Sequence, residues 1–375
     1  MRQPKILIMA GGTGGHVFPG LAIAKDLQES KCKVVWLGTK LGIESRLVEE
    51  AGIEIEYINV GGLRGKSFRA FMHSVGKLIL AFFQSFVIIL KHRPDVVLGM
   101  GGYVTGPGAI MAFLMRCPLI IHEQNAIAGG TNKLLSKIAS LVIEAFPASF
   151  PAHKNLRTLG NPVREDILSI LPPEVRLKDR DGPIKILVIG GSQGSLILNK
   201  TLPKAFKHLA SSVKLEVLHQ AGKKTLQNAQ EAYDGVPVGL YLVEFIDDMA
   251  DAYAWADMVI CRSGAMTVTE LTTIGMPAIL IPFSLAIDDH QTANAKIMKE
   301  IGAAEIVNEN ELESGKLTLV LRDWVQDRSN LKRRACLARS IAKPNATKDI
   351  VKSCLNYVSS YDLSLIHISE PTRPY

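Results

Sequence analysis

Lys5-Ile6-Leu7-Ile8-Met9-Ala10 runs directly into Gly11-Gly12-Thr13-Gly14-Gly15, and further along the chain Lys185-Ile186-Leu187-Val188-Ile189-Gly190 runs into Gly191-Ser192-Gln193-Gly194-Ser195. Each is an apolar strand entering a glycine-rich turn. Each is followed by a helical pattern, roughly 19–29 and 198–209, and then by a second apolar strand, Val34-Val35-Trp36-Leu37 and Leu215-Glu216-Val217-Leu218. Strand, crossover helix and strand is the start of a parallel sheet, made here twice. Further runs at Val96-Val97-Leu98, Leu119-Ile120-Ile121, Met258-Val259-Ile260 and Ala278-Ile279-Leu280-Ile281 alternate with helical stretches, as sheets covered on both faces require. The fold class is therefore read as α/β, with two Rossmann-like doubly wound domains. Pro172-Pro173 and the charged run 176–181, ending at Gly182-Pro183, lack apolar periodicity and mark the linker.

Composition agrees with two globular domains: 375 residues, 47% hydrophobic and 21% charged. The five cysteines, Cys32, Cys117, Cys261, Cys336 and Cys354, are scattered and form no CxxC pair, which predicts reduced thiols in a cytosol. The apolar run 6–10 is too short, and too soon followed by glycines, for a signal peptide. A formal charge of +7 favours anionic partners, whether nucleic acid, phosphorylated sugars or an anionic leaflet. Charge alone does not choose among them. Nucleic acid is set aside because the sequence has no aromatic-rich recognition motif, and the basic stretch 322–339 reads as a solvated helix face.

A glycine-rich turn between strand and helix offers backbone N–H groups and the positive end of the helix dipole, so a diphosphate is its natural ligand. Two common nucleotide motifs nearly fit and are rejected. The dinucleotide fingerprint fails because its last glycine position is Val17 and the second strand ends Leu37-Gly38-Thr39-Lys40, with no acid to hold a ribose. The ATPase phosphate loop fails because Gly61-Gly62-Leu63-Arg64-Gly65-Lys66-Ser67 is one residue short. Asp179-Arg180-Asp181 looks like a metal-nucleotide carboxylate pair but lies in a solvated charge run.

GGTGGHVFPG from Gly11, GMGGYVTGPG from Gly99, HEQNAIAG from His122, GNPVR from Gly160, GGSQG from Gly190 and RSGAMTVTEL from Arg262 occur together and in order. This set closely resembles the bacterial UDP-N-acetylglucosamine:lipid I N-acetylglucosamine transferases of peptidoglycan synthesis, over about residues 5–357. The resemblance implies a glycosyltransferase-B architecture. Residues 1–165 would form an acceptor- and membrane-binding domain, 166–183 the linker, and 184–340 a UDP-sugar-binding domain. Residues 341–360 would form a helix returning to the first domain, and 361–375, which match nothing in the family, a non-native tail. The implied reaction is an inverting, β-1,4-forming transfer to undecaprenyl-pyrophosphoryl-N-acetylmuramyl-pentapeptide, giving lipid II for cell-wall growth and division. No cofactor or metal is implied. The competing readings are a transferase with the same donor and another acceptor, and a non-enzymatic nucleotide-sugar or RNA-binding protein.

Carried over motif by motif, the resemblance assigns Ser192 and its glycine neighbours to the donor diphosphate, with Asn125 and Arg164 reaching it from the N-terminal half. Ile246 would meet uracil through its backbone, Ala265, Met266, Thr267, Val268 and Thr269 would line the nucleotide, Glu270 would accept from ribose hydroxyls, and Gln291 would hold the sugar. Thr13, Gly14, Gly15 and Tyr103 are also expected to bind substrate. His290 stands where the family often has a second glutamine.

Two expectations come from the residues themselves. His16, the histidine among the glycine-turn residues, suits a general base for a hydroxyl that loses its proton as it attacks. Phe71, Val75, Leu78, Phe82, Phe86 and Ile89 recur at three- and four-residue spacing beside Lys66, Arg69, Lys77, Lys91, His92 and Arg93. That pattern predicts a helix lying on an anionic membrane surface, which the resemblance implies to be the cytoplasmic leaflet of the inner membrane. Its uninterrupted apolar segments, broken at Gln84-Ser85, fall short of the ~20 residues needed to span a bilayer.

Overall fold

The computed structural model describes residues 2–61, 68–191, 193–284 and 289–358, with side chains omitted for 68–74. Ser192, residues 62–67 and residues 361–375 lie outside the described residues.

The strands are β1 (Lys5–Ala10), β2 (Lys33–Gly38), β3 (Glu54–Tyr57), β4 (Val96–Gly101), β5 (Leu119–Glu123), β6 (Leu141–Glu144), β7 (Leu156–Thr158), β8 (Ile184–Ile189), β9 (Leu215–Gln220), β10 (Gly239–Val243), β11 (Met258–Cys261), β12 (Ala278–Leu280) and β13 (Ala304–Ile306). They form two sheets, in the orders β3-β2-β1-β4-β5-β6-β7 and β10-β9-β8-β11-β12-β13. The pairs around β1 and β8 are parallel. Both sheets are doubly wound, as the two βαβ starts predict. In each, the order reverses beside the strand that opens the domain, between β1 and β4 and between β8 and β11.

The chain divides into two compact units. Among the described residues the first holds those up to His122, Gly130–Ile143 and 347–358; the second holds Glu123–Gly129 and those of Glu144–Ala346. In the second unit the strands alternate between two cores, as the two-residue period dictates. Ile186, Val188, Met258 and Ile260 pack with Leu198, Leu202 and Phe206 of the helix Leu196–Leu209 on one face. Leu187, Val259 and Cys261 pack with Tyr253, Val268 and Leu271 on the other. In the first unit Ile6 to Ala10 and Trp36 are fully buried, and Trp36 Nε1 donates to Ala10 O at 2.9 Å, which fixes the end of β1. The helix Ala346–Leu355 adds buried Ile350 and Cys354, and Tyr357 Oη donates to Ser140 O at 3.0 Å.

Two details differ from what the sequence suggests. The charged run after Pro173 is anchored rather than freely solvated: Arg176 donates to the carbonyls of Ala256, Ile274 and Gly275. Arg180 pairs with Asp257, 3% exposed in its side chain, at 2.9 Å. A carbonyl-rich edge of the second unit supplies acceptors that residue type alone does not reveal.

The apolar stripe on the helix Phe68–His92 is also rotated. Ile89 is buried, Val75, Leu78 and Phe82 are half-buried, and of the expected stripe's described side chains only Phe86 is exposed. The exposed set is Ile79, Leu80, Phe83, Phe86, Val87 and Leu90. The buried side is marked by small Ala81 and Ser85, which allow close packing. Because the helix is apolar almost all round, three- and four-residue spacing alone does not say which face the protein covers.

Candidate functional site

Two crevices are built the same way, one in each unit, and each lies at the carboxyl ends of the strands where the sheet order reverses. That is where open α/β sheets hold ligands.

In the first unit, β1 and β4 lie side by side, with Ala10 opposite Gly101. Their parallel ends bring together two turns far apart in sequence, 11–13 and 101–104. The turns touch: a Cβ on Gly102 (φ +87°) would stand 2.3 Å from Gly11 O, so neither the conformation nor the space admits a side chain. Thr105 Oγ1 donates to Gly101 O at 2.9 Å and accepts from Gly101 N at 3.2 Å, tying the second turn to the helix Thr105–Leu114.

Thr13 is the N-cap of the helix Gly14–Glu29 and is exposed; its carbonyl accepts from His16 N at 3.1 Å and Val17 N at 3.2 Å. This places Gly14, Gly15 and His16 in the first turn. The half-buried His16 ring lies against the β4 turn, 2.7 Å from where a Cβ on Gly101 would be. Tyr103, 61% exposed, stands on that turn. The structure thus brings Thr13, Gly14, Gly15, His16 and Tyr103 to one crevice.

In the second unit the corresponding turns are 190–195 and 262–265. Gly194 (φ +74°) leaves no room either: a Cβ there would stand 1.9 Å from Ala221 O. Arg262 spans the crevice floor. It donates to Ser195 Oγ at 2.9 Å and to Glu309 at 2.6 Å, and its guanidinium lies 5.3 Å from the centre of the Phe283 ring. Glu309 also accepts from Ser284 N at 3.1 Å; burial pushes its pKa up, but the Ser284 and Arg262 hydrogen bonds outweigh that and hold it below the usual carboxylate range.

The helix Ala265–Ile274 begins at the second turn with Gly264 as its N-cap. Met266, Thr267 and Glu270 lie on its open side, half-buried, whereas Val268 is fully buried and Thr269 nearly so. Thr269 Oγ1 donates to Ala265 O at 2.8 Å and accepts from Asn161 Nδ2 at 2.9 Å. Ala265 and Ile246 are each 9% exposed. Burial raises the pKa of Glu270 above the usual carboxylate value, opposed by the positive charge of Arg164 and a hydrogen bond from Tyr253. Arg164 itself is half-exposed and pairs with Asp166 at 3.5 Å, a surface contact of little energetic weight.

Asn125 and Arg164 both fold with the second unit. The loop 123–129 is shaped by its own acid: Glu123 accepts from Asn125 N at 3.0 Å and Gly129 N at 3.0 Å. Asn294, fully buried and one turn beyond Gln291, accepts from Ala126 N at 2.8 Å and donates to Ser263 O at 3.2 Å and Asn125 Oδ1 at 3.3 Å. It welds this loop to the second crevice. Gln291 Oε1 accepts from Phe283 N at 2.9 Å. Reading the sequence missed Glu123, Asn294, Arg262 and Glu309; for Asn294 the three-residue step from Gln291 along one helix was the available signal.

Among the described residues one group, Glu54, Glu56 and His92, brings metal-ligand atoms within 4.8 Å of one another. Lys33 and Lys91 already pair with those carboxylates at 2.8 and 2.6 Å, which disfavours a cation there.

Residues 6–143 match the glycosyltransferase family 28 N-terminal domain and residues 185–353 its C-terminal domain. A UDP-N-acetylglucosamine–N-acetylmuramyl-(pentapeptide) pyrophosphoryl-undecaprenol N-acetylglucosamine transferase from Alkalilimnicola ehrlichii is 47% identical, over 93% of this chain and 98% of its own length. The protein of the same name from Haemophilus influenzae is 45% identical over 95% and 99%. The crystal structure of Acinetobacter baumannii MurG superposes with a TM-score of 0.84 at 40% identity, covering 94% of this chain and 99% of that one. A UDP-GlcNAc 2-epimerase from Neisseria meningitidis, at 14% identity and TM-score 0.65, shares the fold. The chain belongs to glycosyltransferase family 28, within the group formed by these N-acetylglucosamine transferases.

Proposed function

We propose that this chain transfers N-acetylglucosamine from UDP-N-acetylglucosamine to lipid I, releasing UDP and forming lipid II. The observation that carries the reading is the pair of matching crevices, one presenting a histidine and the other a helix N-terminus followed by a half-buried carboxylate. They suit an acceptor hydroxyl and a nucleotide donor respectively, and the relatives' shared name supplies the substrates.

In the reaction the acceptor hydroxyl oxygen bonds to the anomeric carbon as the bond from that carbon to the diphosphate oxygen breaks. The hydroxyl proton passes to His16, and the electron pair leaves with UDP. One displacement on an α-linked donor gives a β-linked product without an enzyme nucleophile. Positive charge for the departing diphosphate comes from Arg164 and the amino end of the helix Ala265–Ile274, with Asn125 and the turn around Ser192 as hydrogen-bond donors. Ile246 meets uracil through its backbone, Ala265 to Thr269 border the nucleotide, Glu270 accepts from ribose, and Gln291 holds the sugar. Val268 and Thr269 act through the shape of the helix, since their side chains face inward. Thr13, Gly14, Gly15 and Tyr103 border the acceptor.

The same reading places the enzyme peripherally on the cytoplasmic leaflet. Val75–His92 is long and apolar enough to cross a bilayer, at mean hydropathy 1.5, but part of it is buried against the protein. Gln84 also accepts from Asn59 N at 2.8 Å. An exposed apolar stripe on a helix packed along its other side, with exposed Lys77 and Arg93, suits lying in the interface.

The test is a product assay with UDP-N-acetylglucosamine and a lipid I analogue. A β-linked disaccharide product is expected. Donor binding without transfer, or transfer only to another acceptor, would replace this reading with one of its rivals.

A further inference from the structure

Beneath Glu270 lies a side chain that the catalytic reading does not use. Tyr253, on the helix Met249–Trp255, is 1% exposed, packed in the core cluster that includes Ile246, Val268 and Leu271. Its hydroxyl donates to Glu270 Oε2 at 3.0 Å. A tyrosine ring has two side-chain torsions and here both are held by the core, whereas a glutamate has three and lies half-open. The phenol is thus a fixed donor to a half-buried carboxylate.

We propose that Tyr253 is a positioning residue for donor recognition: it pins one oxygen of Glu270 so that the remaining acceptor positions face a ribose, and thereby sets discrimination between ribose and deoxyribose nucleotides. The proposal rests on the reading of Glu270 as the ribose acceptor. A pinned, half-buried carboxylate is left short of a hydrogen bond when the hydroxyl is missing, so the deoxy donor is penalised. Without the phenol, the carboxylate swings toward water and loses little by the hydroxyl's absence.

The experiment measures KM and kcat for UDP-N-acetylglucosamine and its 2′-deoxyribose analogue with the full chain, as wild type, Tyr253→Phe and Glu270→Gln. Tyr253→Phe is expected to raise KM for the ribose donor about tenfold, leave the deoxy donor within about twofold and keep kcat within about twofold, so that the preference collapses. An equal rise for both donors, or no rise for either, overturns the proposal. Glu270→Asp, with an arm too short to reach the phenol, provides a second variant and is expected to lose the preference too; retention of the preference counts against the proposal. If Glu270→Gln keeps the wild-type preference, the ribose reading of Glu270 falls. If Glu270→Gln abolishes it and Tyr253→Phe does not, that reading stands and the role of Tyr253 alone is refuted.

Discussion

Glu44 accepts the backbone N–H of Gly12 at 3.1 Å, and the same fully buried carboxylate takes the Thr39 N–H at 2.9 Å and the Thr39 hydroxyl at 2.7 Å. The first glycine turn is therefore braced from behind by a residue of the next crossover. Glu44→Ala leaves these donors without their acceptor and is expected to destabilise the fold by about 1–3 kcal/mol. Thermal unfolding measures this. Binding of UDP should stay within about twofold of wild type, because Ile246, Ala265 to Glu270 and Gln291 all belong to the second unit; an unchanged melting temperature would show that the brace carries no load.

His16→Ala is expected to lower kcat by about 100-fold or more with donor KM little changed, as loss of a general base does. Steady-state kinetics decides the matter: near-normal kcat with a raised KM would make His16 a ligand for phosphate instead.

Glu270→Ala is expected to weaken UDP-N-acetylglucosamine binding by roughly 1–3 kcal/mol, with the fold retained. The pH dependence follows from the raised pKa of Glu270. Its ionised form accepts from the ribose hydroxyls, so donor affinity should strengthen as pH rises through a value above the usual carboxylate range, and Glu270→Gln should flatten that profile. Stability runs oppositely. A carboxyl held more tightly protonated in the folded state favours folding below its unfolded pKa, and that contribution is lost as pH rises through the folded value. Calorimetric titration across acidic pH, with both variants, checks the sign.

Phe83→Ser with Phe86→Ser is expected to abolish most binding to vesicles containing anionic lipid, since each phenylalanine removes roughly 1.5–3 kcal/mol of burial at full insertion. Phe82→Ser, at a half-buried position, should cost stability more than vesicle affinity. Flotation that is indifferent to the double variant would dismiss the helix as the attachment face.

Transfer is expected to persist in EDTA. The Lys33 and Lys91 pairings already engage the carboxylates of the one ligand-type group found among the described residues, and the proposed mechanism neutralises the diphosphate with Arg164 and a helix end. Activity lost to the chelator and restored by Mn²⁺ would contradict that mechanism.

The two sheets were legible because parallel strands buried on both faces are written as continuous apolar runs, and because a glycine turn marks where each opens. Strand order was less legible. The contact of Gly102 with Gly11 depends on β4 returning beside β1, which no local pattern encodes. Glu44, Asn294 and Tyr253 were missed for the same reason: each looks ordinary in its own segment and gains meaning from a distant partner. The outer stripe of the helix Phe68–His92 was displaced because apolar spacing is shared by the face that meets protein and the face left bare.

The helix Ala346–Leu355 lies almost at the end of the described chain, yet residues 347–358 belong to the first unit, which Ile350 and Cys354 help to fill. During synthesis on the ribosome, the first unit to emerge is thus the last to be completed. The second can close around its own sheet while the first waits for its final helix, so a nascent chain stalled before Thr347 presents an unfinished core to chaperones and proteases.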